Sequence, residues 1–261
     1  MTPWMDFYNK VAAEFDQTDT LIFRGMSNTE NKLLPSFFRY FDRSSISSEQ
    51  VRQLEMALFY RYKNQSAVFQ TSRSDKSSWE ILYEMRHHGL PTRLLDWSET
   101  FSSALFFALR NSKKGIIPCI WVLNPRKMNN LSVKINLILD ISSPNLDYEN
   151  RFLLSKTNKP FENPIAIFPY TNHPRLMAQS SYFTVQGTNM SPLEDIYKED
   201  VLKKIEIPQS IISDAKKFLI LTNTNEFSLF PDRDGLCRNI MAQDGFFEQI
   251  MMKLKIAPKK N

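Results

Sequence analysis

Apolar residues in the first half of the chain recur at helical spacing in four places. Trp4, Phe7, Val11 and Phe15 share one face behind Thr2-Pro3, a pair that caps and starts a helix, and Asp16 to Asp19 end it. Leu21, Ile22 and Phe23 read as a short strand running into Arg24-Gly25. Ser47, with Gln50 three residues on, has the form of a capping box, and Val51, Leu54, Leu58 and Tyr62 make the stripe of the helix behind it. A third helix opens at Ser78, carries Trp79, Leu82 and Met85, and runs to His87-His88. It stops at Gly89, a residue suited to left-handed backbone, and Pro91 prevents its continuation. Ser98 is placed to cap a fourth helix, apolar almost all round from Ala104 to Ala108 and therefore expected to be buried.

The second half changes period. Residues 116–123 read as a strand, with Pro118 pointing to a sheet edge or a bulge, and 137–141, 164–168, 182–185 and 202–207 read as further strands. A helix is expected over 209–220. Another is expected over about 234–253, with Leu236, Ile240, Phe247 and Ile250 pointing one way. Helices dominate the first half and strands the second, without βαβ alternation. That order predicts an α+β fold, a helix-rich N-terminal half packed on a mixed or antiparallel β-sheet. No linker interrupts the pattern. One domain is expected over residues 1–261, with a core from about 20 to 245, an N-terminal helix and a basic C-terminal tail.

Composition narrows the classes. At 42% hydrophobic residues and 6 glycines, the 261-residue chain is neither low-complexity nor linker-like. Its net charge of +5 comes with scattered lysine pairs, Lys203-Lys204 and Lys216-Lys217, and a lysine-bearing tail. That is the pattern of solvated helix faces; it suits a small anionic ligand and leaves nucleic acid as a further partner. Cys119 and Cys237 form no CxxC, the first residues lack a signal-peptide pattern, and no run approaches the ~20 apolar residues of a membrane span. A soluble, cytoplasmic protein with no membrane partner is expected. With only His87, His88 and His173, no metal site is expected.

Scarce polar types crowd into Glu84 to Ser98, EMRHHGLPTRLLDWS. Arg93 and Asp96, three apart, read as a buried charge-assisted pair beside Trp97 in the core. His87 or His88 fits a general acid or base, or a donor to an anion, and equally a cap on the last helical carbonyls. Arg24 stands at the mouth of a strand, and Gly25 after it would let a ligand come close to the backbone. The stretch Asn172 to Gly187 sets His173, Arg175, Gln179, Ser180 and Ser181 just before a strand, as a polar wall. Asp232 and Asp234 precede the terminal helix, where capping is the favoured reading.

Together these segments resemble the FRG domain family. Its aromatic-Arg-Gly is matched by Phe23-Arg24-Gly25, and its H-x-G-L-P-T-R-L-L-D-W block by His87 to Trp97. Its apolar helix is matched by Ala104 to Ala108, its Q-x-x-x-F-T element by Gln179 and Phe183-Thr184, and its F-P-D-x-D-G-L ending from Phe230 on; Ser181 stands where a glycine is common. A looser likeness is to ADP-ribosyltransferases. It implies a similar fold in which Arg24, Gln179, Ser180 and Ser181 hold NAD as substrate and Glu226 or Asp232 activates the ribose. Two functions follow. One is an NAD- or nucleotide-directed transferase or glycohydrolase serving as a bacterial toxin or phage-defence effector. The other is a non-catalytic module binding a nucleotide, nucleic acid or protein.

Overall fold

In the computed structural model of the chain, which describes residues 2–14, 20–69, 76–113, 115–154, 161–168, 181–242 and 246–256, seven strands form one sheet. They are β1 (Ile22–Met26), β2 (Leu94–Ser98), β3 (Cys119–Leu123), β4 (Leu139–Asp140), β5 (Ile165–Phe168), β6 (Ser181–Val185) and β7 (Leu202–Glu206), in the spatial order β4-β5-β6-β2-β1-β3-β7. Only β4 and β5 run parallel, so the sheet is mixed. The fold is α+β.

One side of this sheet buries Ile22, Leu95, Trp97, Trp121 and Leu123 with Leu193 and Tyr197. Two separate groups of helices cover the other side. The first contains α2 (Ser48–Ser66) and α3 (Ser78–His87), with Phe59, Trp79, Leu82 and Met85 over Leu94, Phe183 and Val185. The second contains α1 (Pro3–Ala12) and α4 (Phe101–Arg110), with Phe7, Val11, Ala104 and Ala108 over Phe23, Ile120 and Val122. The first group rests on β2 and its outer neighbours, the second on β1 and its own. The seam between the groups therefore runs between β1 and β2.

Several boundaries differ from the sequence pattern, each for a local reason. The Leu-Leu-Asp-Trp run after Pro91 is the central strand β2, with Ser98 as its last residue; α4 starts after Thr100. Strand β3 begins at Cys119, one residue past Pro118. The α2 stripe that packs inward is Val51, Glu55 and Phe59, while Leu54 is exposed. Ser77 rather than Ser78 caps α3, through a capping box with Glu80.

The remaining helices are α5 (Pro125–Val133), α6 (Leu193–Ile196), α7 (Ile212–Leu221), α8 (Glu226–Leu229), α9 (Arg233–Ala242) and α10 (Phe246–Lys253). The expected terminal helix is thus two helices, and Leu236, Ile240 and Ile250 are exposed. Helix α9 comes down at Gly235 instead: a Cβ there would stand 1.9 Å from the Phe230 oxygen, and only glycine permits that approach. No described helix is long and apolar enough to cross a membrane.

Candidate functional site

Strands β1 and β2 are registered only at Phe23 opposite Ser98, whereas β2 pairs with β6 from Leu94 to Ser98. Beyond Phe23 the two central strands part. A cleft of about 750 Å³ opens there, lined by β1, β2, α3, α4 and the short 3₁₀ turn Ser36–Arg39.

The charged end of the cleft is built around Asp96. Arg24 Nη1 crosses the gap, donates to the Asp96 main-chain oxygen at 2.5 Å, and lies 3.6 Å from the carboxylate Oδ2. Arg86, on the last turn of α3, grips the same carboxylate with Nε (3.3 Å to Oδ1) and Nη2. Arg39 is aimed by its Nε, which donates to the Leu34 oxygen at 2.8 Å. It is exposed, lines the cleft, and makes no ion pair among the described residues.

Electrostatics follow from this crowding. Burial lowers the Arg24 pKa, and repulsion by Arg86 and Arg39 adds to it against the pull of Asp96. Partial loss of water within the cleft also lowers that of Arg39, with Arg86 contributing. Burial alone would raise the Asp96 carboxyl, but Arg86, with Arg24 behind it, holds it at about 2.

The far end is different. Lys76 pairs with Glu84, and Glu80 is turned back onto the Ser77 amide at 2.8 Å. Aromatic rings cover the wall between the ends. Tyr83 stacks on Phe183 at 5.0 Å, and Phe107 is backed edge-on by Phe230 at 6.0 Å. His87 and His88 sit exposed at the rim, rings 4.9 Å apart, and the His88 amide closes α3 on the Glu84 oxygen. Ser181, the first residue of β6, faces the cleft beside Ser98.

Arg24, Gly25, His87, His88 and Ser181, distant in sequence, thus share one cavity, with Asp96 and Trp97 on its wall. Gln179 and Ser180, like His173, Arg175 and Phe15, lie outside the described residues. Gly25 serves the fold in another way than the sequence suggested. A Cβ there would meet the Ala104 oxygen at 1.8 Å, so the bare backbone also makes room for α4.

Other expectations need correcting. Arg93 and Asp96 are not partners: Arg93 lies just before β2 and pairs with Glu55 of α2, whereas Asp96 pairs with Arg86 of α3. Arg93 turns to α2, where its Nε donates to Glu55 Oε1 at 2.8 Å and its Nη2 to Oε2; the Tyr148 hydroxyl bonds the same Glu55. Trp97 is buried and donates Nε1 to Thr184 Oγ1 at 3.1 Å. Glu226 does not line the cleft. It holds Arg110 Nε (2.6 Å) and Arg238 Nε (3.0 Å), tying α8 and α9 to α4. Asp232 accepts the Gly235 amide at 2.6 Å as a turn of the α9 entry, also away from the cleft.

The sequence reading missed Arg39 and Arg86. Arg86 stood inside the dense polar stretch, one residue before His87; Arg39, in Phe-Phe-Arg-Tyr, gave no local signal.

Residues 19–115 match the family model of the FRG domain. The chain carries an FRG domain. No curated protein and no solved structure matches the chain. The matched FRG segment runs from the entry of β1 past the end of α4, so it supplies every cleft-lining residue except Ser181 and Phe183. The cleft is a property of the FRG segment, closed on one side by β6.

Proposed function

We propose that the FRG cleft binds a nucleotide by its phosphates, with NAD the first candidate. One observation carries this reading. Three guanidiniums, Arg24, Arg39 and Arg86, line one cleft with a single aspartate, Asp96, which pairs with Arg24 and Arg86 and leaves Arg39 without an ion pair among the described residues. A phosphate or pyrophosphate supplies Arg39 with a counter-ion, and the planar fork of each guanidinium matches its oxygens. The cavity falls within the roughly 300–1,000 Å³ of small-molecule sites. Tyr83, Phe107 and Phe183 add an apolar wall suited to a base.

Binding has more support than turnover. The likeness to ADP-ribosyltransferases asks for a carboxylate at the ribose, and both candidates for it are engaged elsewhere, Glu226 with two arginines and Asp232 with the Gly235 amide. Asp96 is neutralised by Arg86 and Arg24. Cleavage of NAD, and with it a role as a toxin or phage-defence effector, therefore rests on His87 or His88 as the group that moves a proton.

Titration calorimetry with NAD, ADP-ribose and ATP tests the binding step, and nicotinamide release tests turnover. We expect submillimolar binding of at least one of the three, weakened about tenfold or more by Arg39→Ala. No binding of any of them at millimolar concentration refutes the nucleotide reading.

A further inference from the structure

The cleft wall carries a hydroxyl that the fold does not use. Tyr83 lines the cleft, is only 8% exposed, and stacks on Phe183, another lining residue, with ring planes 26° apart. Its hydroxyl is buried and has no hydrogen-bond partner among the described residues. The cluster around the ring is apolar, with Trp79, Leu82, Met85 and Phe183. A phenylalanine would fill this space without bringing a hydroxyl to be stripped of its water, so packing alone does not account for a tyrosine here. Of the other cleft-lining side chains, Arg24 has an atom in the same condition, its Nε.

We infer that Tyr83 forms a subsite for an uncharged oxygen acceptor, an amide carbonyl or a sugar hydroxyl, on the part of the ligand that carries no phosphate. The inference rests on the nucleotide reading above and adds a specificity-determining residue to it. Apolar neighbours suit a neutral acceptor better than a phosphate oxygen, whose charge would lose its water there. Burial pushes the phenol up, so Tyr83 meets the ligand protonated, as a donor. Covered as it is, the oxygen is reached through a shift of neighbouring side chains, which binding commonly brings.

The test is Tyr83→Phe, measured by calorimetry against NAD, ADP-ribose and inorganic pyrophosphate, together with thermal unfolding. We expect NAD, ADP-ribose or both to bind about tenfold more weakly, the loss of one hydrogen bond. Pyrophosphate affinity should stay within about twofold, and the melting temperature should be equal or higher, because the variant no longer buries an unpaired hydroxyl. If the parent binds NAD or ADP-ribose and the variant binds them equally well, the subsite is refuted while the nucleotide reading stands. A lower melting temperature, or an equal loss for all three probes, assigns Tyr83 a structural role and also overturns the inference. If the parent binds neither nucleotide, the nucleotide reading fails and the subsite fails with it.

Discussion

Arg24 reaches across the parting of the two central strands to the main-chain oxygen of Asp96, 2.5 Å away. A side chain thus bonds the oxygen that, two residues beyond the Phe23–Ser98 register, would face Gly25 if the ladder continued. Arg24 lines a cleft that also contains Arg39 and Arg86.

Asp96 is the counter-ion of that cluster, and its loss should be modest in stability and large in ligand binding. Its side chain is 37% exposed, so solvent screens the pair and Asp96→Asn should cost only about 1–2 kcal/mol. The carboxyl sits at about 2 in the fold against an ordinary 3.8. A lowered value means the contribution is present above pH ~4 and lost as the pH falls towards 2. Urea unfolding of both proteins from pH 6 to pH 2 should show their stability difference shrinking through that window. A difference that stays constant would remove Asp96 from the acid response.

Glu55 should be far more costly to remove. It and Arg93 are 4% and 5% exposed in their side chains, and Tyr148 bonds the same carboxylate. Truncating one partner of such a buried pair costs roughly 3–5 kcal/mol, so Glu55→Ala should unfold at much lower denaturant than the parent or fail to fold. Tyr148→Phe, which keeps the ring and loses one hydrogen bond, should cost about 1–3 kcal/mol. Equal midpoints for parent and Glu55→Ala would contradict the buried network.

The contrast between Glu55 and Asp96 marks what the sequence could and could not reveal. Gly89, Pro91 and the Ser47–Gln50 capping box act through neighbours in the chain, and residue identities alone place them. Arg93 and Asp96 were readable as charges needing partners, but their partners come from α2 and α3, 38 and 10 residues away, and such pairing leaves no motif. One signal was available. Glu55 stands between Val51 and Phe59 at four-residue spacing, a carboxylate inside an apolar stripe, which calls for a buried cation. The strand at Leu94–Ser98 was obscured because it is buried on both faces, and a short apolar run does not declare its period. Convergence of Arg24 with His87 and Ser181 depends on the sheet order, which no motif encodes.

Gly25→Ala should damage fold and cleft together. The added Cβ would lie 1.8 Å from the Ala104 oxygen and 2.6 Å from the Ala108 nitrogen, both backbone atoms of α4, which must move away. Overpacking of this kind costs about 1–3 kcal/mol or more, and Phe107 on the same helix would shift with it. Thermal unfolding should register the cost, and nucleotide affinity should fall as well. A variant that melts and binds like the parent would mean that α4 is not seated on Gly25.

Glu226→Gln separates the two roles that a late carboxylate can have. As the residue that activates a ribose, its loss would abolish turnover and leave stability alone. The geometry predicts the reverse. Glu226 is 12% exposed in its side chain and bridges Arg110 and Arg238, whose guanidiniums lie over the Phe230 ring at 4.8 and 5.2 Å. Removing its charge loosens α8 and α9 from α4 and should cost about 2–4 kcal/mol, since two cations are left without their shared anion. Nucleotide affinity, which the proposed site draws from Arg24, Arg39 and Arg86, should change less than about threefold, because none of the three is bonded to Glu226 and the link to the cleft runs through the packed rings of Phe230 and Phe107. Unfolding and calorimetry on the one variant decide between the roles. An unchanged midpoint with lost nicotinamide release would return Glu226 to catalysis and require the C-terminal helices to move onto the cleft.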